Sequence, residues 1–146
     1  MYLLDTNVIS ASRVPKRNPA VFRWMRSVPD ADFFTAALVL GEIEQGIRRM
    51  ERADVSQGAV LRLWFEKRVL PEFGSPARAL AFDCRAARIY GRYPIPENAP
   101  SDDAHIAAIA EANGLVVATR NVKHFEPLGV QVVNPFDTPV PSTPVL

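Results

Sequence analysis

Residues 115–121 of this chain read LVVATRN, and this stretch decides the class of fold that the sequence predicts. Residues 115–119 form a continuous apolar run that ends in threonine, which is typical of a strand buried in a parallel sheet. Residues 2–4 (YLL), 33–35 (FFT) and 131–133 (QVV) form similar short runs. We therefore expect several short, buried strands, of which the one at 115–119 is the clearest.

Amphipathic helices are predicted between these strands. The helix over residues 37–53 has the strongest pattern, because Val39, Ile43, Ile47 and Met50 recur at helical spacing. Further helices are predicted from residues 5–7, over 20–28, from Ser56 to a break at 71–76, over 77–93, and from Asp102 or Asp103 to 113–114. Alternating strands and helices predict an α/β fold with a small, mostly parallel β-sheet sandwiched between α-helices.

Composition sets limits on the function. The chain has 146 residues, a length that fits one domain, with 48% apolar and 23% charged residues, as in an ordinary globular protein. Its single cysteine, Cys84, excludes an internal disulfide and a cysteine-cluster zinc site. A net charge of +1 gives no strong electrostatic indication of nucleic-acid binding. No phosphate-binding, dinucleotide-binding or nucleophile-elbow glycine motif is present in the sequence.

The sequence also predicts where the protein is found. No apolar run approaches the roughly 18 residues that a membrane helix needs, so no membrane association is expected. The first residues (MYLLD) contain an acid and no basic segment, so we expect no signal peptide and a cytoplasmic location.

Four polar or acidic features stand out against this background. Asp5-Thr6-Asn7 and Thr119-Arg120-Asn121 each follow a predicted strand, and sites in parallel sheets form outside the carboxyl ends of strands. Ser101-Asp102-Asp103 precedes the last long helix. On the 37–53 helix, Glu42 lies nearer to the apolar stripe than Glu44 does. Each acid also has a purely structural interpretation, as a helix cap, a first-turn acid or a solvated side chain.

The same features resemble the motifs of one nuclease family. The opening YLLDTNVIS is similar to the first motif of the PIN-domain nucleases, and residues 38–46 (LVLGEIEQG) to the second, which contains the family glutamate at Glu42. Residues 103–108 (DAHIAA) resemble the third motif and residues 115–125 (LVVATRNVKHF) the fourth. Their order and spacing match from residue 1 to about residue 136, and VapC/FitB-like toxins of bacterial toxin–antitoxin modules are the most similar subgroup.

The resemblance implies a PIN domain over residues 1–136, followed by a proline-rich tail over 137–146. It implies an endoribonuclease whose clustered acids, Asp5, Glu42 and Asp103, hold Mg²⁺ or Mn²⁺. Asn121 occupies the fourth motif position, where many members have Asp, and its neutral amide would hold a second metal more weakly. Whether Asp102 or Asp103 is the principal ligand stays open, with Asp102 as supporting charge.

The resemblance also implies supporting residues and partners. The side chains of Thr6, Asn7 and Thr119 are predicted to orient ligands or water. Such toxins are usually homodimers, inhibited by a DNA-binding antitoxin whose tail enters the acidic site. Single-stranded or loop RNA is the expected substrate. Five basic residues are expected to lie in loops next to the acids and to contact its phosphates: Arg13, Lys16, Arg17, Arg120 and Lys123. Three aromatic residues, for which core burial is expected over a role in an interface, are Trp24, Trp64 and Phe65.

Two other functions compete with this interpretation. A catalytically weak PIN module that binds RNA or a protein is favoured by the neutral Asn121. A phosphomonoester hydrolase with Asp5 as nucleophile is disfavoured, because residue 7 is Asn and not the second Asp that such sites use. No role as a base is expected for His105 or His124, and a structural role is favoured for His105.

Overall fold

A five-stranded sheet forms the centre of the molecule in the computed structural model, which describes residues 1–95 and 101–137. Every strand pair in the sheet is parallel, and the spatial order is β3-β2-β1-β4-β5. The strands are β1 (Tyr2–Leu4), β2 (Phe33–Ala36), β3 (Ala79–Leu80), β4 (Val116–Ala118) and β5 (Val132–Val133).

Helices connect and flank the strands, so the predicted α/β fold is confirmed. The α-helices are α1 (Thr6–Ser12), α2 (Pro19–Ser27), α3 (Ala37–Ala53), α4 (Val55–Trp64), α5 (Leu70–Phe73), α6 (Cys84–Tyr90), α7 (Ser101–Ala112) and α8 (Val122–Phe125). Short 3₁₀ turns lie at Asp30–Asp32 and Glu126–Leu128. None of the helices in the described ranges is long and apolar enough to cross a bilayer.

The central strands are apolar because helices cover them. Leu3, Leu4 and Val117 are fully buried, as expected for inner strands of a parallel sheet. Trp24 and Phe65 are also buried, as predicted, whereas Trp64 is partly buried and packs against the core. The core therefore lies around β1 and β4, the two strands that precede the predicted polar clusters.

One predicted helix is wrong in its first half. Residues 77–93 were expected to be one helix, but Ala79–Leu80 form β3, paired with Thr35 and Ala36 of β2, and helix α6 begins only at Cys84. The alanines favour a helix locally, and pairing with the edge of the sheet overrides that preference. The exposed Asp83 caps α6 by accepting from the backbone N–H of Ala86 at 3.0 Å.

The helix predicted from Ser56 also ends later than expected. Helix α4 continues through a π-helical segment, Phe65–Val69, into α5, so Pro71 does not end the helical segment. Pro71 lies in the first turn of α5, where a missing backbone N–H is tolerated. Val60, expected on the apolar face, is 51% exposed, because α4 packs on α3 through the face that holds the buried Gly58, and Val60 lies about 200° around the helix from Gly58.

The strand order creates a crevice between β1 and β4. From β1 the chain proceeds outward to β2 and β3, then crosses to β4 and β5 on the other side. Such a reversal leaves an opening beyond the carboxyl ends of the two central strands. Two segments lie outside the described residues: positions 96–100, between the helix predicted over 77–93 and α7, and positions 138–146 of the predicted tail. The division at residue 136 stays a prediction.

Candidate metal centre at the switch point of the sheet

The two polar clusters that follow β1 and β4 meet at this crevice. The backbone N–H of Asp5 donates to the carbonyl of Ala118 at 3.0 Å, which joins the ends of the two strands. Asp5 is only 3% exposed, and its side chain caps α1. The structure thus places a buried carboxyl group where open parallel sheets bind their ligands.

Three donors fix the orientation of the Asp5 carboxylate. Oδ1 accepts from the backbone N–H of Thr6 at 2.8 Å. Oδ2 accepts from the Thr119 hydroxyl at 2.8 Å and from the Asn7 amide at 3.3 Å. All three donors are neutral, so they orient the carboxylate without cancelling its charge.

Asn7 and Thr119 tie the two loops together. The Asn7 side-chain oxygen accepts from the backbone N–H of Arg120 at 3.0 Å, and its amide donates to Thr119 Oγ1 at 3.3 Å. Thr119 Oγ1 also accepts from the backbone N–H of Asn121 at 3.0 Å. These bonds hold the DTN and TRN segments in one fixed arrangement around Asp5.

Glu42 reaches this arrangement from helix α3. The Thr6 hydroxyl donates a hydrogen bond to Glu42 Oε2, so the first turn of α1 links Glu42 to Asp5. Glu44, on another face of α3, instead forms ion pairs with Arg62 and Arg48. Of the two candidates on this helix, Glu42 is therefore the one that lies beside Asp5.

The acids at the start of α7 approach from the other side. Asp103 Oδ2 lies 2.6 Å from His124 Nδ1, which joins α7 to α8. Asp102 and Glu42 both line a cleft of about 380 Å³ along the beginning of α3. Asp102 and Asp103 thus face different neighbours, and both are close enough to Glu42 to repel its charge.

The electrostatics of the crevice disfavour the charged forms of the acids. Burial raises the pKa of Asp5; its hydrogen bonds to Thr119 and Thr6 partly oppose this, and the charge of Asp103 adds to it. Burial likewise raises the pKa of Glu42. The hydrogen bond from Thr6 lowers it in part, and repulsion from Asp5, Asp102 and Asp103 raises it further. The crevice therefore concentrates negative charge that the protein does not neutralise.

No lysine or arginine in residues 1–95 and 101–137 forms an ion pair with these acids. Within the same ranges, no group of three or more His, Cys, Asp or Glu side chains is arranged closely enough to hold a metal ion by itself. The acids border an open crevice instead. The donor set is carboxylate, hydroxyl and amide oxygen, which suits a hard divalent cation.

Asn121 occupies a different position from the three acids. It is exposed, precedes α8, and lines a cavity of about 500 Å³ that also includes Arg120, Lys123 and His124. Its backbone, not its side chain, is bound to Thr119. Arg120 packs its guanidinium 3.9 Å from the centroid of the Phe136 ring. This cavity lies beside the acidic crevice and carries both signs of charge, because Glu126 and Asp137 line it together with Arg120 and Lys123.

The basic segment after α1 does not lie at this cavity. Arg13 lines another cavity, together with Phe33 and Asp30 at the amino end of β2. Helix α1 has seven residues and therefore carries the chain about 10 Å away from Asp5. The expectation that Arg13 lies next to the acids is wrong, and Lys16 and Arg17 follow it in the same exposed loop. Arg120 and Lys123 remain beside the crevice.

Comparison with known proteins supplies the family. The family model for the PIN domain matches residues 2–127. The chain belongs to the PIN domain family. As a PIN domain it is 51% identical to Ribonuclease VapC14 of Mycobacterium tuberculosis over 72 residues, covering 49% of this chain and 70% of that protein.

Two further similarities extend over nearly the whole PIN domain. Toxin FitB of Neisseria gonorrhoeae is 33% identical over 141 residues, covering 93% of this chain and 99% of that protein. The crystal structure of FitAcB from Neisseria gonorrhoeae superposes with a TM-score of 0.82 at 32% identity, covering 94% of this chain and all of that one. The resemblance noted in the sequence is therefore confirmed at the level of family and fold.

The contact of His124 with Asp103 was not predicted from the sequence. His124 lies within the fourth motif segment, LVVATRNVKHF, and is 54% exposed on its side chain. The only signal for it was its position three residues after Asn121 in that segment. That it reaches Asp103 depends on how α7 and α8 pack.

Proposed function

We propose that this PIN domain is a metal-dependent endoribonuclease that acts as the toxin of a toxin–antitoxin module. The observation that carries the proposal is the set of carboxyl groups at the crevice between β1 and β4, of which Asp5 is buried and Glu42 half-buried, and none of which is paired with a lysine or arginine among the described residues. The names of the relatives, a ribonuclease and a toxin, supply the class of reaction and the biological role. A cytoplasmic location stays a prediction.

The residues present fit Mg²⁺ or Mn²⁺. Asp5 and Glu42 have raised pKa values because they are buried and repel their neighbours, and a divalent cation would relieve that repulsion. Asp5, Glu42 and Asp103 would hold the ion, with Asp102 as additional charge. A bound ion would polarise the scissile phosphate and lower the pKa of a water molecule.

The chain's own residues prepare this site. The hydroxyl groups of Thr119 and Thr6 orient Asp5 and Glu42. Asn7 holds the two loops at a fixed separation. Arg120, stacked on Phe136, and Lys123 are placed to contact phosphate groups of RNA next to the crevice. We expect single-stranded RNA, because a paired A-form helix presents its backbone poorly to a narrow crevice.

The proposed partners follow from the same relatives. We expect a homodimer that is inhibited by a DNA-binding antitoxin, because the toxin FitB and the FitAcB complex resemble this chain over nearly its full length. The tail of such an antitoxin would enter the acidic crevice, where a cationic side chain would be attracted to the unneutralised carboxylates.

A metal titration of RNA cleavage tests the proposal. A fluorescent single-stranded RNA should be cleaved only when Mg²⁺ or Mn²⁺ is added, and Asp5→Asn should abolish cleavage. Asp54→Asn is a matched control, because Asp54 also caps a helix but is exposed and lies beyond the far end of α3, about 18 Å along that helix from Glu42. Binding of RNA without cleavage at any metal concentration would instead support the weak binding module that the neutral Asn121 suggests.

A further inference from the structure

Three aromatic rings from separate segments form one cluster near the start of α7. The rings of Tyr90 and His105 stack with centroids 4.3 Å apart and planes 5° apart. Phe82 packs perpendicular to both, 5.8 Å from Tyr90 and 4.8 Å from His105. We call Phe82, Tyr90 and His105 the ring cluster.

The ring cluster lies at the carboxyl ends of the strands, the same end of the sheet at which the acids lie. Phe82 follows the carboxyl end of β3, as Asp5 follows the carboxyl end of β1, and all the strands are parallel. Only β2 separates β3 from β1. Since neighbouring strands are about 4.8 Å apart, the two strand ends are separated by about 10 Å.

Helix α7 connects the ring cluster to the acids directly. His105 is three residues after Asp102, and residues at this spacing lie on the same face of a helix. A substrate that reaches the acids at the beginning of α7 therefore passes within one helical turn of the ring cluster.

Phe82 remains on the surface although its neighbours are aromatic. It is 36% exposed, one of eight large apolar side chains that are exposed among the described residues. The unneutralised acids nearby repel phosphate groups until a cation is bound. Stacking of a base on a ring is independent of that charge and is a common means of holding single-stranded nucleic acid.

We propose that the ring cluster is a nucleobase-binding subsite, on which a base close to the cleaved bond of single-stranded RNA stacks against Phe82. This inference rests on the proposed ribonuclease function, which identifies RNA as the substrate. His105 and Tyr90 are positioning residues here, because their stacked rings support Phe82.

Fluorescence anisotropy of a labelled 12-nucleotide single-stranded RNA of mixed sequence, in EDTA, measures binding without cleavage. We expect Phe82→Ala and Phe82→Leu to weaken binding about tenfold, and Phe82→Trp to retain it. Phe22→Ala is the matched control and should stay within twofold of the natural chain, because Phe22 is 40% exposed on α2, beside the cavity that Arg13 lines at the amino end of β2. Thermal unfolding of each variant checks that it is folded, and the leucine variant serves if the alanine variant is not.

Abasic substitutions along the same RNA locate the stacked base. Removal of the base at one position should weaken binding to the natural chain about tenfold. The same removal should not weaken binding to Phe82→Leu, because that variant already lacks the ring on which the base stacks. Equal losses for both proteins at every position would overturn the inference. The inference would also be overturned if Phe82→Leu bound RNA as tightly as the natural chain but changed its oligomeric state. That result would identify the ring cluster as a protein interface. A natural chain that does not cleave RNA after Mn²⁺ is added would reject the ribonuclease proposal separately.

Discussion

Glu42 and Glu44 lie two residues apart on α3, about 200° apart around the helix, and their surroundings are opposite. Glu44 accepts from Arg62 at 2.6 Å and from Arg48 at 3.0 Å, and these contacts lower its pKa. Glu42 is half-buried, has Asp5 and the α7 acids as neighbours, and its pKa is raised by burial first and their repulsion second.

The difference separates an acid with a structural role, Glu44, from Glu42, the acid that we propose to be functional. The Glu44 side of α3 is joined to α4 by Arg62, which also binds Glu51 at 2.9 Å, so charge is balanced there. The Glu42 side gathers charge of one sign at a crevice. Carboxylates that are buried without a counter-charge cost stability, and such clusters occur where a ligand supplies the missing charge.

The largest expected effect is on RNA cleavage, where Glu42→Gln and Glu44→Gln should differ strongly in rate. Glu42→Gln keeps the shape and the hydrogen-bonding oxygen but removes a proposed ligand charge, so we expect cleavage to fall at least about 100-fold. Glu44→Gln should stay within about twofold, because its charge serves only the α3–α4 contact. Initial rates with a fluorescent RNA at saturating Mn²⁺ measure both, and equal losses would erase the distinction between the two faces.

The His124–Asp103 contact is predicted to matter about tenfold for metal affinity, because such contacts orient ligands. His124→Phe keeps a ring but removes the donor, and should weaken Mn²⁺ binding by that factor. His124→Asn places an amide nitrogen near the position of Nδ1 and should restore most of the affinity. Titration of Mn²⁺ followed by its paramagnetic resonance signal provides the measurement, and identical affinities for the two variants would show that the contact does not orient Asp103.

Thermal stability without metal should change in opposite directions in the two glutamine variants. The raised pKa of Glu42 means that its contribution to stability is greatest below its unfolded pKa and is lost as pH rises through the folded value. At neutral pH, Glu42→Gln should therefore raise Tm by about 2–4 °C.

For Glu44 the sign is reversed. Its lowered pKa means that its contribution is present above the unfolded pKa and is lost as pH falls through the folded value. Glu44→Gln should lower Tm at neutral pH, by less because the pair is solvent-accessible, and both differences should vanish in acid. Calorimetric scans across pH test the signs, and shifts of the same sign at neutral pH would contradict the contrast.

Asn121→Asp should have the smallest effect of these substitutions, and it tests whether an exposed acid beside the crevice behaves like the half-buried Glu42. A carboxylate at this exposed position adds charge near His124 and Arg120 without adding burial, so we expect Mn²⁺ affinity to rise by only about two- to threefold. Gln131→Glu is the control for a general increase of negative charge, because Gln131 is exposed and lies at the amino end of β5, the opposite end of the strands from the acids. An equal gain in both variants would show that position 121 has no particular relation to the metal.

The parts of the fold that sequence predicts best are those where burial and local pattern agree. The central strands β1 and β4 are continuous apolar runs, and α3 has a regular apolar stripe. The two-residue strand β3 lies in an alanine-rich segment, and only its pairing with β2 makes it a strand. Similarly, the helical path through Pro71 depends on the π-helical turn before it, which has no local signal.

The candidate site shows the same division. The identities of Asp5, Glu42 and Asp103 followed from motif positions, and the hydrogen bonds of Asp5 explain why Thr and Asn surround it. Contacts between distant helices were beyond the sequence, including that of His124 with Asp103. The displacement of Arg13 from the acids arises from the length of α1, a tertiary consequence that residue type alone does not reveal.

Calorimetric titration of Mn²⁺ at mildly acid pH, repeated in buffers of different ionisation enthalpy, tests most directly whether the crevice is a cation site made of uncompensated acids. We predict Mn²⁺ binding with release of protons from Asp5 and Glu42, whose pKa values are raised, and we predict that Glu42→Gln lowers both the affinity and the number of protons released. Absence of binding, or binding with no proton release and no effect of Glu42→Gln, would contradict the account.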